Sequence, residues 1–419
     1  MAFHRAAPAG AVCAFFVAAI SATPVSLPPA PVAVRAAIHE VWAASPQVRQ
    51  ADAERRAALA RADAAAQPLY NPSIQFEGEN ADVDRRTVGA SLALDVTGKR
   101  RARMVEGDAE VRMREAALAV ARRDVAADWL KASTGAAYAR EHRALGERRV
   151  ALMRRFDELA EQRLRVGDIG APERDLAALA LGEAEIQQAS LASQEAGALA
   201  AMAAIDGGAS RRPADLSSST LPDGAAVVPV DAEDRPDLRL ARAQQDRADA
   251  GVAVAQRARL PDPTVSLTGG RVRSGPRTDR VVGLSVAVPL PLLNSGRADI
   301  AAARADADAA FASRHAVALR SEATLVQARA TYLALRNATA AFRQSRAAAF
   351  DERADTLGRL WQAGEIGTSD YLVQLKQSLD TALAGLALES QAWQAWFDYL
   401  AAAGRLTGWI DGTSQEPSA

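Results

Sequence analysis

RLRVGDIGAPERDL, from Arg163 to Leu176, and RLWQAGEIGTSDYL, from Arg359 to Leu372, write the same corner twice in one chain. In each copy a run of helix-forming residues stops at a glycine, Gly167 or Gly364, the residue type that ends helices in the left-handed region. Val166 and Ala363 precede these glycines. Asp168, Ile169 and Gly170 follow in the first copy, and Glu365, Ile366 and Gly367 in the second. Six positions after the first glycine stands an acid, Glu173 or Asp370.

The repetition continues outward. Ser45-Pro46 and Arg235-Pro236 each open a helical run, and the runs stop at LYNPSIQFEGE from Leu69 and LPDPTVSLTGG from Leu260. VGASLALD from Val88 is matched by VGLSVAVP from Val282, and Gly98-Lys99, where helix resumes, by Gly296-Arg297. These landmarks keep their order at offsets of 190 to 198 positions, so the chain is an internal duplication. The repeats are expected over 23–205 and 236–411. Between them lies a Gly/Ser/Pro-rich linker, 206–235, expected to be partly ordered at best, and 412–419 is expected to be a disordered tail.

Period-two alternation marks strands. Val88, Ala90, Leu92 and Leu94 share one face of Thr87–Asp95, and Val282, Leu284, Val286 and Val288 one face of Arg280–Leu290. Strands are expected at about 73–79, 87–95, 264–271 and 280–290, one hairpin per repeat, joined by the polar loops Asn80–Arg86 and Val272–Asp279. Gly98 to about Arg163 contains no proline, and a helix of roughly 65 residues is on the order of 100 Å long. Ala298 to about Leu360 repeats this run, and return helices extend to about Ile205 and Leu406. Such lengths exceed a compact domain. The fold class is therefore mainly α with a small β part, an extended bundle with alanine-rich seams.

Two isolated hairpins are not stable alone in water. Their alternation of apolar with small or polar residues suits a wall between lipid and water, and a closed membrane barrel needs at least about eight strands. Several chains must then pool their strands; three chains would give about twelve. A small soluble sandwich is the alternative reading.

Composition narrows the function. Of 419 residues 5% are aromatic and 24% charged, with a net charge of −1, which gives no electrostatic ground for nucleic acid as a partner. Residues 1–22 read as a signal peptide: a basic start, MAFHRA, then the apolar core Gly10–Ala22, too short to span a bilayer. Cys13, the single cysteine, lies inside that core, so the exported chain has no thiol for disulfides, catalysis or metal. TGKRR from Thr97 departs from a phosphate loop, with Ala93 and Arg100 at positions that require Gly and Ser or Thr. The basic run Lys99–Arg103 marks a transition near the membrane end, or a solvated face. His39, His142 and His315 lack helical partners for a metal site. No catalytic, metal or cofactor residues are assigned, and the chain is read as a non-enzyme.

The corners carry the functional expectation. Glycine stops and helix-start acids account for each copy alone. Their recurrence at the end farthest from the strands makes a paired apex, expected to dock another protein. Glu173 and Asp370 could ring the mouth of a helical tube as a cation-selecting gate, or simply face solvent at helix starts.

At these residues the chain resembles the TolC-like outer membrane efflux proteins, from about Val34 to about Gly408. The resemblance rests on the duplicated order helix, hairpin, long helix, tip and return helix, and on the Val166-Gly167 and Ala363-Gly364 tips. LALDVTGKRRAR (Leu92–Arg103) and VPLPLLNSGRADIAAA (Val288–Ala303) are similar to the CzcC-like heavy-metal branch, which usually has an aromatic at Leu293. The resemblance implies a homotrimer with a twelve-stranded outer-membrane barrel continued by a periplasmic α-helical barrel. It also implies tips docked on a periplasmic adaptor (membrane fusion) protein, which is coupled to an inner-membrane resistance–nodulation–division pump. Asp370 matches the family's first gate aspartate and Glu173 is its counterpart in the first repeat. Val373 stands at the second aspartate and Ile366 at the gate arginine, so the family's closing salt bridge cannot form here in the same way. Tyr70 and Phe76 are the candidates for the barrel's aromatic girdle. The expected function is a passive exit duct for heavy-metal cations, with drugs or other small molecules as alternative cargo. A non-pore periplasmic coiled-coil protein is the alternative of another class.

Overall fold

The computed structural model describes residues 28–80, 82–209, 212–213, 220–224, 227–345 and 350–412. The expected signal peptide, 1–22, lies outside the described residues, as does the expected tail beyond Gly412. Nine α-helices and four strands are seen among the described residues: α1 Val32–Ala44, α2 Pro46–Ala66, β1 Ser73–Glu79, β2 Val83–Ala93, α3 Lys99–Arg165, α4 Ala171–Ile205, α5 Pro236–Ala258, β3 Thr264–Ser274, β4 Arg277–Ala287, α6 Arg297–Gln344, α7 Phe350–Gln362, α8 Thr368–Ala402 and α9 Leu406–Asp411. None of these helices is long and apolar enough to cross a membrane.

Both hairpins join one antiparallel sheet in the order β1-β2-β3-β4, so the two repeats meet through β2 and β3. The register sorts side chains by type. Phe76, Val88, Gly269 and Val282 lie in one row, and Ile74, Ala90, Leu267 and Leu284 in the next. Alternation places Gln75, Thr87, Ser91, Ser266, Thr268 and Ser285 on the other face. Phe76 and Val282 are exposed by 80% and 82%, so the apolar face is bare in the single chain. Among the described residues β1 pairs only with β2 and β4 only with β3, which leaves two edges of unpaired backbone groups.

The strand limits correct the sequence reading. β2 begins at Val83 instead of about 87, β3 runs on to Ser274 and β4 starts at Arg277, so the expected loop Val272–Asp279 shrinks to Gly275 and Pro276. Gly275 has φ +59° at the first central position of this two-residue turn, which glycine alone adopts without strain. Arg85, Arg86, Arg273 and Arg277 fall in the expected loops because charged residues have low strand propensity, but pairing and surface context override that preference and place them in strands. At the other end β2 stops at Ala93, because the Asp95 carboxylate accepts the Lys99 and Arg100 amides at 2.9 and 2.7 Å and caps α3. Pro289 lacks a ladder donor, in keeping with β4 ending at Ala287.

The helices pack around α3, a 67-residue rod of about 100 Å, against which α2, α4, α5 and α8 lie. Two cores divide the body. Near the middle Trp129, Trp396, Phe397, Tyr399, Leu400 and Leu406 pack with Ile38 and Tyr332; toward the corners Met153, Phe156, Trp361, Tyr371, Leu375 and Leu379 form a second cluster. The second long helix is shorter than expected: α6 ends at Gln344, where Ser345 turns extended and donates its hydroxyl to the Phe342 carbonyl at 2.7 Å. No proline or glycine marks this stop; a serine competing for a helix carbonyl makes it.

The linker is better ordered over its described part than its composition suggests. Leu221 and Val227 are buried in the middle core. Tyr332 donates to the Pro222 carbonyl, the Val230 amide donates to Ala403 at 3.1 Å, and Arg405 Nε donates to Val228 at 2.6 Å. Apolar residues spaced among the small ones make this strap across α8 and α9.

Candidate functional site

Each corner closes by the same hydrogen bonds. The Gly167 amide donates to Leu164 at 3.0 Å and Asp168 to Arg163 at 2.9 Å; Gly364 donates to Trp361 at 3.0 Å and Glu365 to Leu360 at 2.9 Å. This is a Schellman motif in both copies, and it requires φ of +77° at Gly167 and +72° at Gly364. Gly170 and Gly367 then enter the return helices α4 and α8 in extended conformation. Val166, Gly167, Asp168 and Gly170 are exposed, as are Ala363, Gly364, Glu365 and Gly367, while Ile169 and Ile366 tuck partly into the core beneath.

Glu173 and Asp370 both occupy the third position of their return helix, where a carboxylate favours the helix dipole. Both are exposed, and among the described residues neither has a basic partner. Val373, at the place of a second acid, is 65% exposed.

An aromatic pedestal that single-sequence motifs did not reveal supports the corners. Phe156 lies 4.4 Å from Trp361 and 4.9 Å from Tyr371 between ring centroids, and the Trp361 indole donates to the buried Thr368 hydroxyl at 3.3 Å. Arg163 from the first corner sits 5.1 Å over the Trp361 ring of the second and meets the Asp168 carboxylate at 2.5 Å. One guanidinium thus ties the two tips together. The pedestal's signal was present, since Phe156, Trp361 and Tyr371 are among few aromatics in the chain.

A second constellation joins the repeats where sheet meets helix. Asp262, buried just before β3, accepts from Tyr70 at 2.7 Å and Thr97 at 2.9 Å and pairs with Lys99 Nζ at 2.8 Å. This explains the TGK sequence without any phosphate: Thr97 and Lys99 hold a carboxylate from the other repeat. It also withdraws Tyr70 from an aromatic girdle, leaving Phe76 on the apolar face. Burial alone would raise the Asp262 pKa, but the hydrogen bonds from Lys99, Tyr70 and Thr97 outweigh it and hold it below 3.8. The hydrogen bond to Asp262, then burial, push Tyr70 up to about 12.

Because the Asp262 pKa is depressed on folding, its contribution is whole above the ordinary value of 3.8 and is lost as pH falls below it. Asp262→Ala leaves the Lys99 ammonium unpaired and is expected to cost roughly 3–5 kcal/mol. Guanidinium unfolding of the solubilised protein at neutral pH checks this, and the difference from the parent should narrow below pH 3.8.

Comparison with known proteins fits this geometry. Residues 231–405 match the outer membrane efflux protein family. The chain is 27% identical over 244 residues to the cobalt-zinc-cadmium resistance protein CzcC of Cupriavidus metallidurans, a match covering 57% of this chain and 58% of that protein's length. Among solved structures it resembles the outer membrane channel CmeC of Campylobacter jejuni at 14% identity and TM-score 0.75, covering 96% of this chain and 94% of that one. The outer membrane protein VceC of Vibrio cholerae gives 18% and 0.70, with coverage of 89% and 96%. CusC, crystallised in a study of its folding and transmembrane channel formation, gives 15% and 0.70, with coverage of 88% and 91%. At these identities the structural likeness shows a shared fold.

Proposed function

We infer that this chain, a TolC-like outer membrane efflux protein, is one subunit of a passive exit duct in a bacterial efflux system. It belongs in the outer membrane and extends into the periplasm, and like the channels of its family it is not an enzyme. The observation that carries the duct reading is the four-stranded sheet, apolar on one face and polar on the other, with both edges open at one end of a 67-residue helix. Four strands cannot close around a pore; three copies joined β4 to β1 give about twelve, within the range of membrane barrels. The helical bodies of the three copies then continue the tube away from the membrane, and six tips surround its far mouth.

In this assembly the stretches Val166–Gly170 and Ala363–Gly367 dock a periplasmic adaptor coupled to an inner-membrane resistance–nodulation–division pump, which supplies the driving force. Glu173 and Asp370 form a single acidic ring at the mouth, without a closing salt bridge to Ile366. The similarity to a cobalt-zinc-cadmium resistance protein favours divalent metal cations as cargo. Deleting the gene should lower tolerance to zinc, cadmium or cobalt; lost drug tolerance with unchanged metal tolerance would replace the metal reading by a small-molecule one.

The tips give a sharper expectation. Valine at both Gly167 and Gly364 meets open space but must adopt φ above +70°, which branched side chains avoid. The double variant should fall to the deletion strain's metal tolerance while its trimers persist. Unchanged tolerance would refute adaptor docking there.

A further inference from the structure

The apolar face of the sheet ends in a row of arginines. Arg86, Arg271 and Arg280 stand directly opposite one another on β2, β3 and β4, two residues beyond the Val88, Gly269 and Val282 row and on the same face. On β1 the register position opposite Arg86 is Gly78, whose side is open space. Strands lie about 4.8 Å apart, so three guanidiniums are held along roughly 10 Å of one line. Like charges directly opposite destabilise a sheet. The Asp84 carboxylate, 3.5 Å from Arg86, is the one acid paired with this row among the described residues, and Arg273 lies opposite Asp84 in the next row. The face therefore carries an excess of three positive charges immediately above its apolar band.

Arginine facing lipid costs roughly 2–4 kcal/mol at the bilayer midplane and little at the interface, so the row belongs at head-group level. It stands at the hairpin end of the sheet, opposite the end from which α3 and α6 leave. If the helices enter the periplasm, this end meets the outer leaflet. Guanidinium forks match phosphate oxygens two at a time. We propose that Arg86, Arg271 and Arg280 form a binding site for the phosphate groups of an anionic glycolipid in the outer leaflet. The site rests on the duct reading and adds to it a specific lipid partner, which neutralises the row and seats the barrel at a defined depth.

Native mass spectrometry of the purified trimer, titrated with diphosphoryl lipid A or with its dephosphorylated form, tests this. The parent should bind the diphosphoryl form on the order of 100-fold more tightly than R86Q/R271Q/R280Q, taking about fivefold for each arginine near an anionic surface. The dephosphorylated form should bind both alike. R85Q/R277Q, altered on the opposite face, should behave as the parent. R271Q alone, which keeps two of the three charges, should lose about fivefold, so the result stands even if the triple variant does not assemble. Equal binding of both lipid forms by the parent, or an unchanged affinity in R271Q, would overturn the site while leaving the trimer standing. Absence of any trimer in the parent would overturn the duct reading and the site together.

Discussion

Gly270→Val should abolish the membrane barrel while leaving the helical body folded. Gly270 lies on the polar face of β3 opposite Thr87 and Val281. A Cβ there would fall on the Arg86 carbonyl oxygen and within 2.8 Å of the Thr87 Cα, so backbone would have to move. Overpacking against side chains costs roughly 1–3 kcal/mol, and against backbone more. The loss falls on the β2–β3 seam, the pairing that joins the two repeats. Unheated SDS gels should show the trimer band vanish, while far-UV circular dichroism retains its helical signal. Gly269→Val is the control, one residue away on the apolar face, where a Cβ meets only the Val281 carbonyl at 4.0 Å. It should assemble normally. Equal behaviour of the two variants would contradict the facing of the sheet.

Trp361→Ala should unfasten the tip end of the molecule. Trp361 is 3% exposed and contacts Phe156, Tyr371, Thr368 and Arg163. Large-to-small changes of buried aromatics cost roughly 3–5 kcal/mol. Because the middle core around Trp129 and Trp396 is a separate cluster, the damage should stay local. Hydrogen exchange should rise steeply across 350–380 and around Arg163, with little change across 125–135 and 392–402. Metal tolerance should fall with it, since the Arg163 tie between the tips loses its ring. Uniform exchange throughout the chain would show that the two cores unfold as one.

Much of this architecture was legible because it is local and repeated. Glycine stops, the alternation of Val282, Leu284 and Val286, and the paired corners each announce themselves within a dozen residues. What escaped depended on partners far along the chain. Asp262 meets Tyr70 and Lys99 across more than 160 positions, and an isolated PDP tripeptide gives no sign of it. The arginine-bearing strand ends read as loop because only cross-strand pairing makes them strand. Ser345 ends α6 through one hydroxyl bond that composition does not flag. Leu221, Val227 and Val230, the linker's packed or bonded apolar residues, stood in a linker rich in Ser, Gly and Pro.

Three chains sharing one barrel is the claim on which the duct, the tip ring and the lipid site all depend. Fractionating the cell envelope and running the outer-membrane fraction on SDS gels, unheated and boiled, tests it most directly. The expected result is a band at about three chain masses without heating that collapses to one chain mass on boiling. A single-chain band at both temperatures, recovered in the soluble periplasmic fraction, would contradict it.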